Sequence, residues 1–130
     1  MITDPISDLI VRLKNGSDAR KSSVEIFHSK FAENVAHALK KAGYVSSIEK
    51  KNKSINRLEI GLVYLENGEP RIHGVERLSK PSRRIYRKSG EIRTYKSGFG
   101  NSFLSTPRGV LVDMDAKKHK VGGEILFRIW

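Results

Sequence analysis

The amino-acid sequence predicts an α+β fold: an N-terminal α-β-α-β-β lobe packed against a mainly β C-terminal lobe that contains one short helix. Two patterns carry this prediction. Apolar residues recur twice at helical spacing in the N-terminal half, whereas short extended runs alternate with turn residues after Leu78. The length of 130 residues suits two small lobes. We expect them at residues 1–68 and 69–130.

The first helix is predicted to begin at Asp4 and Pro5. An aspartate accepts hydrogen bonds from the first free amides, and a proline at the first helical position loses no internal bond. Apolar residues at helical spacing, from Ile6 to Leu13, continue the pattern. Asn15 and Gly16 predict a left-handed stop.

The second helix is predicted to begin after Ser29, a favourable capping residue, and to end at Gly43. Its apolar face is expected to include Phe31, Val35 and Leu39. Strands are expected at 24–27, 44–50, 55–65 and 71–78. Further extended segments are expected at 83–86, 103–106, 110–112 and 124–130, with one or two helical turns within 114–120.

Charge is concentrated in one stretch of the chain. The formal net charge is +11, from 25 Lys and Arg against 14 Asp and Glu. Residues 71–96 alone hold nine of these cations and two of the acids. Such an excess points to a polyanionic partner, either nucleic acid or an anionic membrane surface, although a charged run is also typical of a solvated loop.

Several classes of function lack their motifs. Without cysteine, disulfides, zinc–thiolate sites and thiol catalysis are excluded. The four histidines lack metal-ligand spacing, and no P-loop, dinucleotide fingerprint or nucleophile elbow is present. No apolar run of about 18 residues and no signal peptide occur. We therefore expect no catalysis, metal, cofactor, small-molecule substrate or membrane, and a cytoplasmic protein.

Aromatic residues are interleaved with the cations of residues 71–96. On a strand, Arg84 and Tyr86 share a face because side chains alternate with period two. Arginine pairs with phosphate and a tyrosine ring stacks on a splayed base, so this face suits RNA. Tyr95 extends the pattern. The alternative is a tyrosine packed in the core with the arginines in solvent.

Another motif is the loop Ser105-Thr106-Pro107-Arg108-Gly109 between two apolar runs. Its hydroxyls and amides suit hydrogen bonds to sugars and to bases whose stacking is disturbed, and Arg108 suits phosphate. The alternative is an ordinary turn in which the hydroxyls bond to their own backbone. Local chemistry favours that alternative.

A third motif, Gly122-Gly123-Glu124, precedes the last strand. Paired glycines allow unusual dihedral angles or close contact with another backbone.

Four segments in this order resemble the small-subunit ribosomal protein number eight family, bacterial type. They are residues 4–16, 79–86, 104–110 and 121–126, and they span the chain. Residues 79–86 resemble the family's Ser-Arg-Pro-Gly-x-Arg-Ile-Tyr run. Residues 104–110 resemble its Ser-Thr-Ser-Lys-Gly-Val loop, and residues 121–126 resemble its Gly-Gly-Glu strand.

The resemblance implies a non-enzymatic constituent of the ribosome that binds the central domain of 16S rRNA and helps to assemble the platform of the small subunit. It also implies neighbouring small-subunit proteins as partners, and feedback binding to its own messenger RNA. The implied RNA-binding residues are Ser105, Thr106, Pro107, Arg108, Gly109, Tyr86, Arg84, Arg83, Lys30, Gly122, Gly123 and Glu124.

Two of these positions depart from the family pattern. Pro107 stands where the family has a second serine, so the loop lacks one hydroxyl and one N–H donor and is stiffer. Arg83 replaces an apolar residue and adds a cation.

Two rival classes remain beside this interpretation. A small basic nuclease would use the same charge, but nothing in the sequence supports one. An anionic-membrane binder would need an amphipathic helix with a Lys/Arg-rich polar face, which the sequence lacks.

Overall fold

The structure is a computed structural model that describes residues 4–52, 54–93 and 100–130. The chain divides into two compact units, Met1–His73 and Gly74–Trp130, which we call the N-terminal unit and the C-terminal unit. Both combine helix with antiparallel sheet, so the predicted α+β class is confirmed.

The N-terminal unit has the predicted order α-β-α-β-β. Its elements are α1 (Pro5–Asp18), β1 (Ser23–Phe27), α2 (Lys30–Lys41), β2 (Val45–Lys51) and β3 (Arg57–Leu62). The three strands form an antiparallel sheet in the order β1-β3-β2. Buried leucines from both helices and from the central strand fill its core, namely Leu9, Leu13, Leu39 and Leu58.

Helix α1 begins as predicted but ends later. The Ser7 amide donates to the Asp4 side chain at 3.2 Å. The predicted stop at Asn15 and Gly16 is wrong, because the helix continues to Asp18. A Cβ on Gly16 would lie 2.4 Å from Val24 Cγ1, so this glycine lets the helix approach the sheet.

The left-handed residue after α1 is Arg20, with φ of 59°. The Lys21 amide donates to the Gly16 carbonyl at 3.0 Å, and the Arg20 amide donates to the Ser17 carbonyl at 3.1 Å. This is the bonding pattern of a Schellman motif, in which a left-handed residue satisfies the last carbonyl groups of the helix.

Helix α2 begins at the predicted cap, where Ser29 Oγ accepts from the Ala32 amide at 3.1 Å. Val35 and Leu39 are buried as expected. The prediction that Phe31 belongs to the buried face is wrong, because its side chain is 38% exposed. Ala32 takes the buried position, which keeps the spacing to Val35, Ala36 and Leu39 helical.

The C-terminal unit is mainly β with one short helix, as predicted. Its elements are β4 (Val75–Arg77), β5 (Tyr86–Arg87), a 3-10 helix (Ser89–Glu91), β6 (Asn101–Thr106), β7 (Gly109–Val112), α3 (Asp113–Lys118) and β8 (Gly123–Ile129). Strands run in the order β4-β8-β6-β7, and β5 also pairs with β8. Strand β8 therefore pairs directly with β4, β5 and β6.

Among the described residues, apolar packing on this sheet includes a stacked pair of rings and a cluster beside the short helix. Phe103 and Phe127 stack with ring centroids 5.1 Å apart and planes 9° apart. A separate cluster is built on buried Ile92, Leu104 and Ala116. Because Ala116 belongs to α3 and Leu104 to β6, this cluster fixes the short helix beside the β6–β7 hairpin.

Candidate nucleic-acid interface

Three neighbouring strands of the C-terminal unit align polar side chains in one row. Glu124 on β8 lies opposite Tyr86 on β5 and opposite Ser105 on β6. Directly opposed residues in antiparallel strands project from the same face. The Tyr86 side chain is 64% exposed, which excludes the alternative of a core tyrosine. We call Arg84, Tyr86, Ser105 and Glu124 the contact row.

Arg84 joins this row through an ion pair. Its Nη1 lies 3.0 Å from Glu124 Oε2 and 3.2 Å from Oε1. The Arg84 side chain is 55% exposed, whereas that of Glu124 is only 14% exposed. The guanidinium group therefore keeps donors for an incoming phosphate while one nitrogen is held on the protein.

The buried Ser79 side chain bonds to Glu124 of the contact row, and this role was not predicted from the sequence. Ser79 is fully buried, and its hydroxyl donates to Glu124 Oε2. The same hydroxyl oxygen accepts from the Ile85 amide at 3.2 Å. Ser79 opens the segment that resembles the family motif, and this resemblance is the one signal that marks it, since its local sequence indicates only a turn.

The β6–β7 hairpin carries the hydroxyl loop at its tip. Thr106 Oγ1 donates to the Gly109 carbonyl at 2.7 Å and accepts from the Arg108 amide at 3.1 Å. Thr106 therefore bonds to its own turn, as the alternative interpretation of this loop states. Pro107 and Arg108 occupy the exposed tip, and Gly109 has φ of 109°.

Arg108 also contacts the residue that follows α3. Its Nη1 lies 3.3 Å from His119 Nδ1.

The paired glycines bring these strands together. A Cβ on Gly123 would lie 2.1 Å from the Ser105 carbonyl oxygen, and one on Gly122 would lie 2.3 Å from the Arg87 carbonyl oxygen. No side chain fits at either position without a backbone shift. The motif thus has a packing function, in line with the expected close contact with another backbone.

The remaining predicted residues belong to other segments. Arg83 is exposed in a tight turn, where its amide and carbonyl both bond to Lys80, at 3.0 and 2.9 Å. Lys30 is exposed at the first position of α2, in the N-terminal unit. Tyr95 lies outside the described residues.

The sequence predicts neither a metal site nor a membrane-spanning segment. In residues 4–52, 54–93 and 100–130, no three His, Asp or Glu side chains are grouped so as to hold a metal ion. None of the helices in those ranges has both the length and the apolar composition needed to cross a membrane.

A basic α+β chain that gathers arginine, tyrosine and serine around Glu124 of one sheet has the features of an RNA-associated protein. The family model described as Ribosomal protein S8 matches residues 4–130. The small ribosomal subunit protein uS8 of Persephonella marina is 46% identical over 136 residues, covering all of both chains. That of Mycoplasmopsis synoviae is 44% identical, covering 99% of this chain and 98% of its own.

The chain belongs to the ribosomal protein S8 family. It is accordingly a structural, non-enzymatic constituent of the small ribosomal subunit in the cytoplasm. This agrees with the prediction from the sequence and removes the nuclease alternative.

Proposed function

We propose that this protein binds an irregular helix in the central domain of 16S rRNA and so helps to assemble the platform of the small subunit. The RNA-binding lobe is the one predicted at residues 69–130. Within it, the contact row and the tip of the β6–β7 hairpin form the surface that contacts the RNA. Neighbouring small-subunit proteins are further partners.

The exposed Tyr86 lies opposite Glu124, which holds the Arg84 guanidinium group in an ion pair, and this arrangement is the observation that carries the proposal. In a regular duplex every base is stacked between its neighbours, so a protein ring finds no free base face. An internal loop leaves bases splayed and available for stacking. A surface that offers an exposed ring with a fixed cation therefore favours a distorted helix.

The tip of the β6–β7 hairpin gives this surface a narrow projection that can enter a groove. Pro107 and Arg108 project from a turn that the Thr106 hydroxyl closes internally. A narrow rigid tip of this kind fits a widened or distorted minor groove, where sugar hydroxyls and base edges are accessible. Arg108 meets the phosphates at the groove edge.

The test is a comparison of two RNAs by fluorescence anisotropy with the full-length protein at moderate salt. One RNA holds an internal loop from the 16S central domain, and the other is a regular duplex of equal length. We expect at least tenfold tighter binding to the first, about 1.4 kcal/mol. Equal affinity would overturn the proposal.

A variant locates the surface. Tyr86→Ala should weaken binding to the internal-loop RNA by about 1–3 kcal/mol, the range for loss of one base-stacking contact, and change duplex binding little. Tyr64→Ala, a tyrosine of the N-terminal unit, is the matched control, and it should leave the ratio of the two affinities unchanged. Crosslinking in intact small subunits, mapped to single nucleotides, identifies the bound helix.

On this proposal the surface recognises the conformation of an internal loop, whichever RNA contains that loop. We therefore also propose that a segment of the protein's own messenger RNA with a similar internal loop competes for the site. A competition assay with transcripts of that messenger decides this, since failure to displace the ribosomal RNA contradicts the regulatory role.

A further inference from the structure

We infer that Ser79 is a positioning residue that sets the RNA selectivity of the contact row by fixing the carboxylate of Glu124. This inference rests on the proposed function, because it concerns how the same surface discriminates between RNAs. Ser79 touches no RNA itself, since it is fully buried.

Every polar atom of Ser79 is engaged. Its amide donates to the Ile125 carbonyl at 3.2 Å, and its carbonyl accepts from Arg77 Nε. Its hydroxyl donates to Glu124 Oε2 and accepts from the Ile85 amide at 3.2 Å. A hydroxyl group has one hydrogen, so the bond from Ile85 leaves that hydrogen directed at Glu124.

Glu124 is thereby held from two sides. Oε2 takes the Ser79 hydroxyl and also lies 3.0 Å from Arg84 Nη1, while Oε1 lies 3.2 Å from the same nitrogen. Hydrogen bonds to a charged group are the stronger ones in proteins. The carboxylate therefore stays beside the guanidinium group, in a side chain that is only 14% exposed.

This arrangement controls which donors Arg84 presents. One nitrogen is committed to Glu124, and this contact restricts the orientation of the remaining donors. A long flexible arginine that was not held would pair with any phosphate within reach, including those of a regular duplex. Orientation of Arg84 through Glu124 is thus a source of selectivity, and the buried hydroxyl maintains it.

The experiment is a double-mutant cycle on the full-length protein with Ser79→Ala, Glu124→Ala and the combination. The measured quantity is the discrimination ratio, defined as the Kd for the regular duplex divided by the Kd for the internal-loop RNA. Ser79→Ala should lower this ratio about tenfold, the effect expected from one charge-assisted hydrogen bond. In the Glu124→Ala background, the same change should have no further effect on the ratio, although it lowers the thermal midpoint in both backgrounds.

Two further variants separate positioning from general loosening. Ser102→Ala removes another buried serine hydroxyl of the same sheet, 4% exposed, and should leave the ratio unchanged. Ser79→Cys nearly preserves the volume but offers only a weak donor, so it should lower the ratio as alanine does. If circular dichroism shows that Ser79→Ala is unfolded, the discrimination ratio of Ser79→Cys tests the role of Ser79 instead.

The outcomes distinguish the two proposals. If the wild-type protein shows a ratio of one, the proposed function and this inference both fail. If the wild type discriminates but Ser79→Cys keeps its ratio, or if the losses from Ser79→Ala and Glu124→Ala simply add, the role of Ser79 is refuted while the proposed function stands.

Discussion

Gly123 lies against the carbonyl group of Ser105 so closely that a Cβ on the glycine would be 2.1 Å from the carbonyl oxygen. This contact joins β8 to β6 next to the pair formed by Glu124 and Ser105, two members of the contact row on these strands. The position of the Ser105 side chain therefore depends on the absence of a side chain at Gly123.

Gly123→Ala should lower the free energy of unfolding by about 1–3 kcal/mol, because the added methyl group forces the two backbones apart. Urea unfolding followed by circular dichroism measures this. Gly90→Ala is the matched control, since its Cβ would meet nothing within 4 Å. The control should stay within about 0.5 kcal/mol of the wild type. Equal effects of both changes would contradict the role of the close contact.

Thr106→Ala should weaken binding to the internal-loop RNA by about 1–3 kcal/mol with little effect on the regular duplex. The change removes the two hydrogen bonds that close the turn, at 2.7 and 3.1 Å. The hairpin tip then loses the fixed conformation in which it meets the distorted groove. Thr106→Ser keeps the hydroxyl group and should retain most of the affinity. Anisotropy titrations of both RNAs measure these differences, and a serine variant as weak as alanine would argue against the hydroxyl.

Arg84→Ala should reduce the slope of log K against log salt by about one unit, because one phosphate contact is lost. It should also reduce discrimination, because the guanidinium group that Glu124 orients is then absent. Arg83→Ala removes a neighbouring exposed cation, so it should lower the salt slope and leave the discrimination between the two RNAs unchanged. Titrations between about 50 and 200 mM salt measure both effects. A salt slope unaffected by Arg84→Ala would remove this residue from the phosphate contacts.

The stability of the N-terminal unit should depend on pH through Glu33. The hydrogen bond from His28 Nε2, at 2.8 Å, lowers the pKa of Glu33 below its ordinary value of 4.5. The folded state then binds a proton less readily than the unfolded chain. The stabilisation is complete above pH 4.5 and is lost as the pH falls through the folded pKa.

Glu33→Gln should accordingly lower the thermal midpoint at neutral pH, and the difference from the wild type should shrink below pH 4.5. Thermal melts from neutral pH down to the acid range test this. Glu49→Gln, an exposed carboxylate on β2, serves as the control. A wild-type advantage that is constant down to the acid end of the range would show that the Glu33 pair is not the cause.

The fold was predictable where the signals are local. Asp4 and Ser29 cap their helices by bonding to amides three residues away, which a sequence pattern contains directly. Gly16 and Phe31 were misjudged because their environment is set by tertiary packing. Gly16 accommodates the side chain of Val24 from another element, and Phe31 lies one position ahead of the buried stripe of α2.

The contact row was predictable only in part, for the same reason. Strand periodicity predicts that Arg84 and Tyr86 share a face. In the structure β5 begins at Tyr86, and Arg84 joins the row through its ion pair with Glu124. Ser79 and Glu124 are 45 residues apart in the chain, and only the pairing of the C-terminal strands brings them together. No pattern within a short window encodes a hydrogen bond of that separation.

The turn closed by Thr106 has a consequence for how association proceeds. Its conformational freedom is already lost in the unbound protein, so docking requires little further ordering of this segment. On the proposed function, the nucleotides around the hairpin tip are then the component that rearranges. Rapid mixing should show a rate-limiting step that changes with the flexibility of the RNA and is insensitive to the stiffness of the protein tip.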